Sequence, residues 1–108
     1  MTQQQHDLCE KVIFEADLAR VVGARRILSK PHVVESTINP DGNILATLTY
    51  EAYFDLHARE IVENSFRLAI MRDGATSCEC GDSQHRRVIC KHVIATANVL
   101  LAEGGKHE

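Results

Sequence analysis

The chain has 108 residues, enough for one domain with a modest hydrophobic core. Its hydrophobic content of 44% and charged content of 25% are ordinary for a globular protein, and the absence of any run of about 18 apolar residues predicts no transmembrane helix. The net charge of −3 argues against strong non-specific DNA binding, because such binding depends on Lys and Arg neutralising phosphates. Few aromatic residues likewise disfavour stacking on single-stranded nucleic acid.

The first predicted element is an amphipathic helix over residues 5–29. Apolar residues recur at helical spacing from Leu8 to Ile27, and Pro31 marks the end because a helix rarely continues through the residue before proline. One apolar face is expected to pack on a sheet. The apolar surface extends beyond a single stripe, which favours a partner-binding helix and allows a homodimer through it. The candidate partner-binding residues are Val12, Ile13, Ala16, Ala19, Val21 and Val22.

An antiparallel sheet is predicted over residues 32–72. Residues 32–38 and 44–54 read as strands joined by the turn Asn39–Asn43, which contains the turn formers Pro, Asp and Gly. The next segment, residues 55–64, is ambiguous, and Asp55 is a candidate cap for a short helix there.

The sheet is expected to continue beyond this ambiguous segment. Alternation of Phe66, Leu68 and Ile70 predicts a third strand. Asp73-Gly74 is a hairpin signal leading to a short fourth strand, Ala75 to Cys78. A final helix is predicted from Lys91 to Ala102, stopped by Gly104-Gly105.

A C-x-C…C-x-H quartet is the strongest motif in the chain. Cys78 and Cys80 are separated by nine residues from Cys90, and His92 follows two positions later. Three thiolates and one imidazole favour tetrahedral zinc. Extended backbone would point Cys78 and Cys80 to the same side, and Cys90 with His92 would open the final helix, so a strand end and a helix start converge on one Zn²⁺ ion. Four protein ligands close the site, which predicts a structural metal and no catalytic role.

The quartet and its surroundings resemble the SWIM zinc finger. Besides the ligands, the resemblance includes the alternating strand and glycine turn of Ser65 to Cys80, and the apolar helix that follows Cys90-Lys91-His92. It covers residues 65–102. The resemblance implies roles in DNA binding and protein–protein interaction, since such fingers occur in chromatin-remodelling-type ATPases, Mutator-like transposases, ubiquitin-pathway proteins and partners of recombination mediators.

Basic residues form two local clusters that are candidates for nucleic-acid contacts. The finger cluster contains Arg86, Arg87 and Lys91, and the N-terminal cluster contains Arg25 and Arg26. Either cluster could equally be a solvated surface, and Lys91 could simply offset the negative charge of the zinc–thiolate centre.

The remaining Cys and His residues suggest no chemistry of their own. Cys9 is expected to be a buried structural thiol, and His57 and His85 are expected to face solvent. Cysteines concentrated in one motif fit a reducing compartment, so a cytoplasmic location, or a nucleoid or nuclear one if the protein associates with DNA, is expected. No signal peptide is visible in the first residues.

These patterns predict one α+β domain over residues 1–108: an N-terminal helix on a small antiparallel sheet, followed by a ββα zinc finger. The favoured function is a non-enzymatic, zinc-stabilised adaptor or regulator in a nucleic-acid process, acting mainly through a protein partner. The alternative is direct DNA or RNA binding, expected to be weak, through the basic finger loop.

Overall fold

The computed structural model describes residues 2–86 and 88–105. These residues contain four helices and a four-stranded antiparallel sheet. The predicted α+β class is confirmed. In chain order the elements are α1 (Gln3–Glu15), α2 (Leu18–Leu28), β1 (His32–Ile38), β2 (Ile44–Asp55), β3 (Glu60–Ile70), β4 (Thr76–Cys78), α3 (Gly81–Arg86) and α4 (Lys91–Gly105). None of the helices in these ranges combines the length and apolar character that a membrane crossing needs.

The N-terminal helical region is two helices, so the prediction of one helix over residues 5–29 is wrong in this respect. Thr2 begins α1 with a capping box, in which its side chain and that of Gln5 each accept a hydrogen bond from the other's backbone N–H. Ala16 is extended, and the Asp17 carboxylate accepts from the Arg20 N–H to start α2. Asp is a preferred N-cap residue. The apolar spacing runs across the break, so periodicity alone did not reveal it.

The sheet has the order β1-β2-β3-β4 with every neighbouring pair antiparallel. The predicted Asn39–Asn43 turn is confirmed: the Asn39 side-chain oxygen accepts from the N–H groups of Asp41 and Asn43. Gly42 has φ of +85°, a left-handed conformation that favours glycine. The predicted hairpin at Asp73-Gly74 is also present, with Gly74 at φ +94°.

The ambiguous segment after β2 forms a hairpin turn, and the short helix considered there is not formed. The Asp55 carboxylate accepts from the N–H groups of His57 and Ala58, and so it closes a turn. β3 then begins at Glu60. A bulge interrupts the β2–β3 register just after Tyr50, where Glu51 has φ of +53°. The Glu51 N–H donates to the Pro31 carbonyl, and its carboxylate lies 2.7 Å from Lys30 Nζ.

Helix α4 lies at the centre of the hydrophobic core. α1 and α2 pack chiefly on α4, and α4 contacts β2, β3 and β4. The N-terminal helices therefore meet the sheet mainly through α4, and α1 also approaches it directly at the β3–β4 turn, where a Cβ added at Gly74 would lie 2.7 Å from Lys11 Nζ. Five consecutive residues of α4, from Val93 to Ala97, are fully buried. α4 also continues to Gly105, beyond the predicted stop at Gly104.

Candidate metal centre

The end of the sheet and the start of α4 bring the four predicted ligands together. Cys78 ends β4 and pairs with Leu68 of β3. The pairing continues past the strand, because the Glu79 N–H donates to the Arg67 carbonyl. Strand alternation therefore places Cys78 and Cys80 on the buried side and Glu79 on the exposed side.

The donor atoms of Cys78, Cys80, Cys90 and His92 all lie within 4.8 Å of one another, and all four residues are buried. His92 Nδ1 is 3.9 Å from the Sγ atoms of both Cys78 and Cys90. A tetrahedral zinc with Zn–S of about 2.3 Å and Zn–N of about 2.0 Å would separate sulfur and nitrogen by about 3.5 Å. The donor chemistry and spacing therefore fit zinc, and the predicted ligand set is brought together as a whole.

The clustered cysteine thiols change one another's pKa values. The Cys78 thiol hydrogen-bonds to Cys90, which lowers the pKa of Cys90 and raises that of Cys78. Contacts from His92 and the Val93 N–H lower the pKa of Cys90 further. Burial raises the pKa of Cys80, although the Ser83 N–H donates to its sulfur at 3.4 Å. Because thiolates are the metal-binding form, zinc binding displaces these thiol protons.

Two aromatic side chains of the sheet contact the His92 imidazole. The Tyr50 hydroxyl lies 3.2 Å from His92 Nε2. The Phe66 ring stacks on the imidazole with centroids 3.9 Å apart and planes inclined by 22°. Sequence analysis did not find these contacts. Alternation put Tyr50 and Phe66 on the inward face of their strands, but nothing local pointed to His92.

An ion pair links α2 to the finger. Arg20 Nε and Nη2 donate to the two carboxylate oxygens of Asp82 at 2.7 and 2.8 Å. Arg20 Nη1 also donates to Asp17. The Arg20 guanidinium lowers the pKa of Asp82. No motif or spacing in the sequence pointed to this pair, whose partners are 62 positions apart.

The basic candidates lie around the junction of α2, α3 and α4. Lys91 is exposed at the start of α4 and packs beside Gly23, where an added Cβ would lie 3.2 Å from Lys91 Cβ. Arg25 and Arg26 are exposed in the last turn of α2. Arg86 is exposed with one nitrogen 3.8 Å from Asp82. Arg87 lies outside the described residues.

The candidate partner-binding residues differ in how far they are exposed to solvent. Val12 is only 1% exposed and belongs to the core. Ile13, Ala16 and Val21 are half-buried, whereas Ala19 and Val22 are exposed. A larger exposed apolar surface was missed: Phe14 is 91% and Leu18 78% exposed, on either side of the break between α1 and α2. The sequence signal for this exposed surface was Phe14, which lies on the helix face opposite the apolar stripe.

Cys9, His57 and His85 lie where they were expected. Cys9 is fully buried, and burial raises the pKa of its thiol to about 11. His57 and His85 are exposed.

Comparison with known proteins identifies one segment. Residues 62–101 match the family model of the SWIM zinc finger. No curated protein and no solved structure matches the chain. The matched segment contains all four clustered donors and most of β3 and α4. The chain therefore carries a SWIM zinc finger over residues 62–101, with Cys78, Cys80, Cys90 and His92 positioned to bind zinc.

Proposed function

We propose that this chain is a zinc-stabilised interaction module, an adaptor or regulator in a nucleic-acid process that acts chiefly through protein contacts. The observation that carries this proposal is the exposed apolar surface formed by Phe14, Leu18 and Val22, here termed the helix corner. Phe14 lies near the end of α1, and Leu18 and Val22 lie one turn apart at the start of α2. The net charge of −3 also favours a protein partner over a phosphate backbone.

The helix corner exposes apolar side chains that do not contribute to the stability of the free chain. A fully exposed phenylalanine gains nothing from folding, since its ring stays in water. Contiguous exposed apolar side chains on a soluble protein mark sites of interaction, and aromatic residues are enriched where such contacts carry binding energy. The helix corner therefore has the composition of a contact surface.

The proposed role of the metal is structural. A catalytic zinc keeps one coordination position open for water or substrate. Here three buried sulfurs and one buried imidazole nitrogen supply four protein donors, which complete a tetrahedral shell. The proposed role of zinc is thus to hold β4 and the start of α4 together.

The test compares chains recovered from the native source by cross-linking and mass spectrometry. Bait proteins are the wild type, the Phe14→Ser/Leu18→Ser variant, and the control Leu56→Ser, which changes a leucine that is 80% exposed in the β2–β3 turn. We expect one set of partners to be retained by wild type and control and lost by the helix-corner variant. An unchanged set of partners would contradict the role of this surface.

Direct nucleic-acid binding is the second candidate, and one contact favours it. The close approach of Gly23 to Lys91 brings α2, which carries Arg25 and Arg26, beside the start of α4. Lys91 and the N-terminal cluster of Arg25 and Arg26 thus lie on neighbouring helices. Asp82 works against this surface, because its carboxylate pairs with Arg20 and lies near Arg86.

Binding to duplex DNA of random sequence, measured by fluorescence anisotropy at several salt concentrations, tests this candidate. Three to five phosphate contacts would give a log–log salt slope of roughly −3 to −5, with a Kd of about 10⁻⁴ to 10⁻⁶ M at physiological salt. Arg86→Ala/Arg87→Ala should weaken binding equally for all sequences. Tight, sequence-selective binding that is retained in this variant would favour direct DNA recognition over the protein-contact function.

A further inference from the structure

We propose that Tyr50 and Phe66 are positioning residues for the metal centre, which hold the His92 imidazole in the tautomer and orientation that zinc requires. Neither residue belongs to the C-x-C…C-x-H motif, and Tyr50 lies upstream of the finger segment 62–101. The metal affinity of the finger thus depends on the strand β2 that precedes it.

The hydrogen bond to Tyr50 selects one form of His92. His92 Nδ1 faces the sulfurs of Cys78 and Cys90, so this nitrogen must carry the free lone pair when it binds a cation. In neutral imidazole the proton then resides on Nε2. The Tyr50 oxygen lies 3.2 Å from Nε2 and can accept that proton's hydrogen bond. Such a contact on the far nitrogen fixes both the tautomer and the ring orientation of a metal-binding histidine.

Phe66 restrains the imidazole from its face. The stacked rings, 3.9 Å apart, leave His92 no room to rotate toward Phe66. Tyr50 is also close to the imidazole, with centroids 5.9 Å apart. His92 itself is 4% exposed, so water does not compete for Nε2.

The backbone around Tyr50 is itself well held. Tyr50 pairs with His32 of β1 and with Asn64 of β3. Immediately after it, Glu51 is fixed by its N–H bond to Pro31 and its ion pair with Lys30. The strand that carries the Tyr50 hydroxyl is therefore held by neighbouring chain on both sides.

The first experiment measures the zinc dissociation constant of intact protein by competition with a chromophoric chelator at constant pH. Tyr50→Phe removes one hydroxyl, and we expect it to weaken zinc binding by about 10-fold, the lower end of the effect of losing such contacts. Phe66→Leu should weaken it less, because it keeps the hydrogen bond. Tyr53→Phe, which removes the chain's other phenol, is the matched control and should bind zinc as the wild type does.

The second experiment separates positioning from general stabilisation of the fold. In a His92→Cys background no imidazole needs orientation, so adding Tyr50→Phe should leave zinc affinity unchanged. A readout independent of affinity is solvent exchange of the His92 Nε2–H proton in the zinc-loaded protein, followed by ¹H–¹⁵N NMR, where we expect slow exchange in the wild type and faster exchange in Tyr50→Phe. Equal affinities for wild type and Tyr50→Phe, the same loss in both backgrounds, or equal Nε2–H exchange rates in the two zinc-loaded proteins would each overturn the proposal.

Discussion

At the scale of single residues, the four cysteines occupy two kinds of environment. Cys78, Cys80 and Cys90 surround one imidazole, whereas Cys9 is buried in the hydrophobic core beside other apolar side chains of α1. Its raised pKa of about 11 reflects burial alone. A neutral thiol of this kind behaves as a small hydrophobic side chain, so we expect Cys9 to contribute packing and no metal binding.

Substitutions at Cys9 should therefore change stability and leave zinc content intact. Cys9→Ala should lower the free energy of unfolding by about 1–2 kcal/mol, a common cost for a small deletion in a core. Cys9→Ser should lower it further, because it buries a hydroxyl that replaces an apolar contact. Urea unfolding and elemental analysis check both effects. A folded Cys9→Ala protein without zinc would show that the ligand assignment is wrong.

At the scale of elements, the link between α2 and α3 depends on one arginine. Arg20 lies in the first turn of α2 and holds Asp82 in the first turn of α3 through two hydrogen bonds. Paired, charge-assisted bonds of this geometry are stronger and more specific than single ones. We infer that this ion pair fixes the N-terminal helices against the zinc finger.

Breaking the Arg20–Asp82 pair should lower thermal stability, and the effects of changing the two residues should not be additive. Arg20→Met and Asp82→Asn should each reduce Tm, and the double variant should lose less than the sum of the two, because either change alone removes the same bonds. The control is Arg67→Met, which breaks the more exposed pair of Arg67 with Glu79 and should change Tm little. Additive effects of the two changes would contradict a direct link.

At the scale of the whole molecule, α4 connects every other part. It begins at the metal centre, packs against the sheet and supports α1 and α2. Taken alone, the apolar alternation upstream of the finger predicts that losing zinc would unfold residues 75–100 and leave part of the upstream helix and sheet. The structure changes this expectation, because without an ordered α4 the N-terminal helices and the inner face of the sheet lose their common packing surface.

Zinc removal should thus unfold the chain as a unit. We expect one zinc per chain by elemental analysis, and loss of both helical circular dichroism and β2–β3 amide protection when the metal is chelated. Cys90→Ser should behave as the chelated protein does. Structural zinc sites contribute folding free energy directly. A sheet that stays protected after chelation would show that its stability is independent of α4.

The helix corner also predicts self-association. Phe14 and Leu18 are more exposed than any other large apolar side chains in the described part of α1 and α2. We expect sedimentation at micromolar concentration to show reversible dimers, and Phe14→Ser/Leu18→Ser to give a monomer of unchanged circular dichroism. A wild-type protein that stays monomeric would restrict the helix corner to contacts with other proteins.

Local pattern determined much of this protein. The spacing of Cys78, Cys80, Cys90 and His92 was sufficient to predict the zinc ligands, and turn residues with strand alternation located most of the sheet. These features depend on residues close in sequence, whose conformations follow from local chemistry. The break at Asp17 and the turn after Asp55 were missed, because apolar periodicity does not distinguish a cap within a helix from a cap between two helices.

Tertiary structure alone decided how these parts act together. Tyr50 meets His92 across 42 positions of sequence, and Arg20 meets Asp82 across 62. No local pattern encodes such pairs, because they depend on how α4 packs against the sheet and the N-terminal helices. The sequence thus determined which atoms can bind zinc, and the packing of α4 decided which side chains hold those atoms in place and which apolar residues remain exposed to a partner.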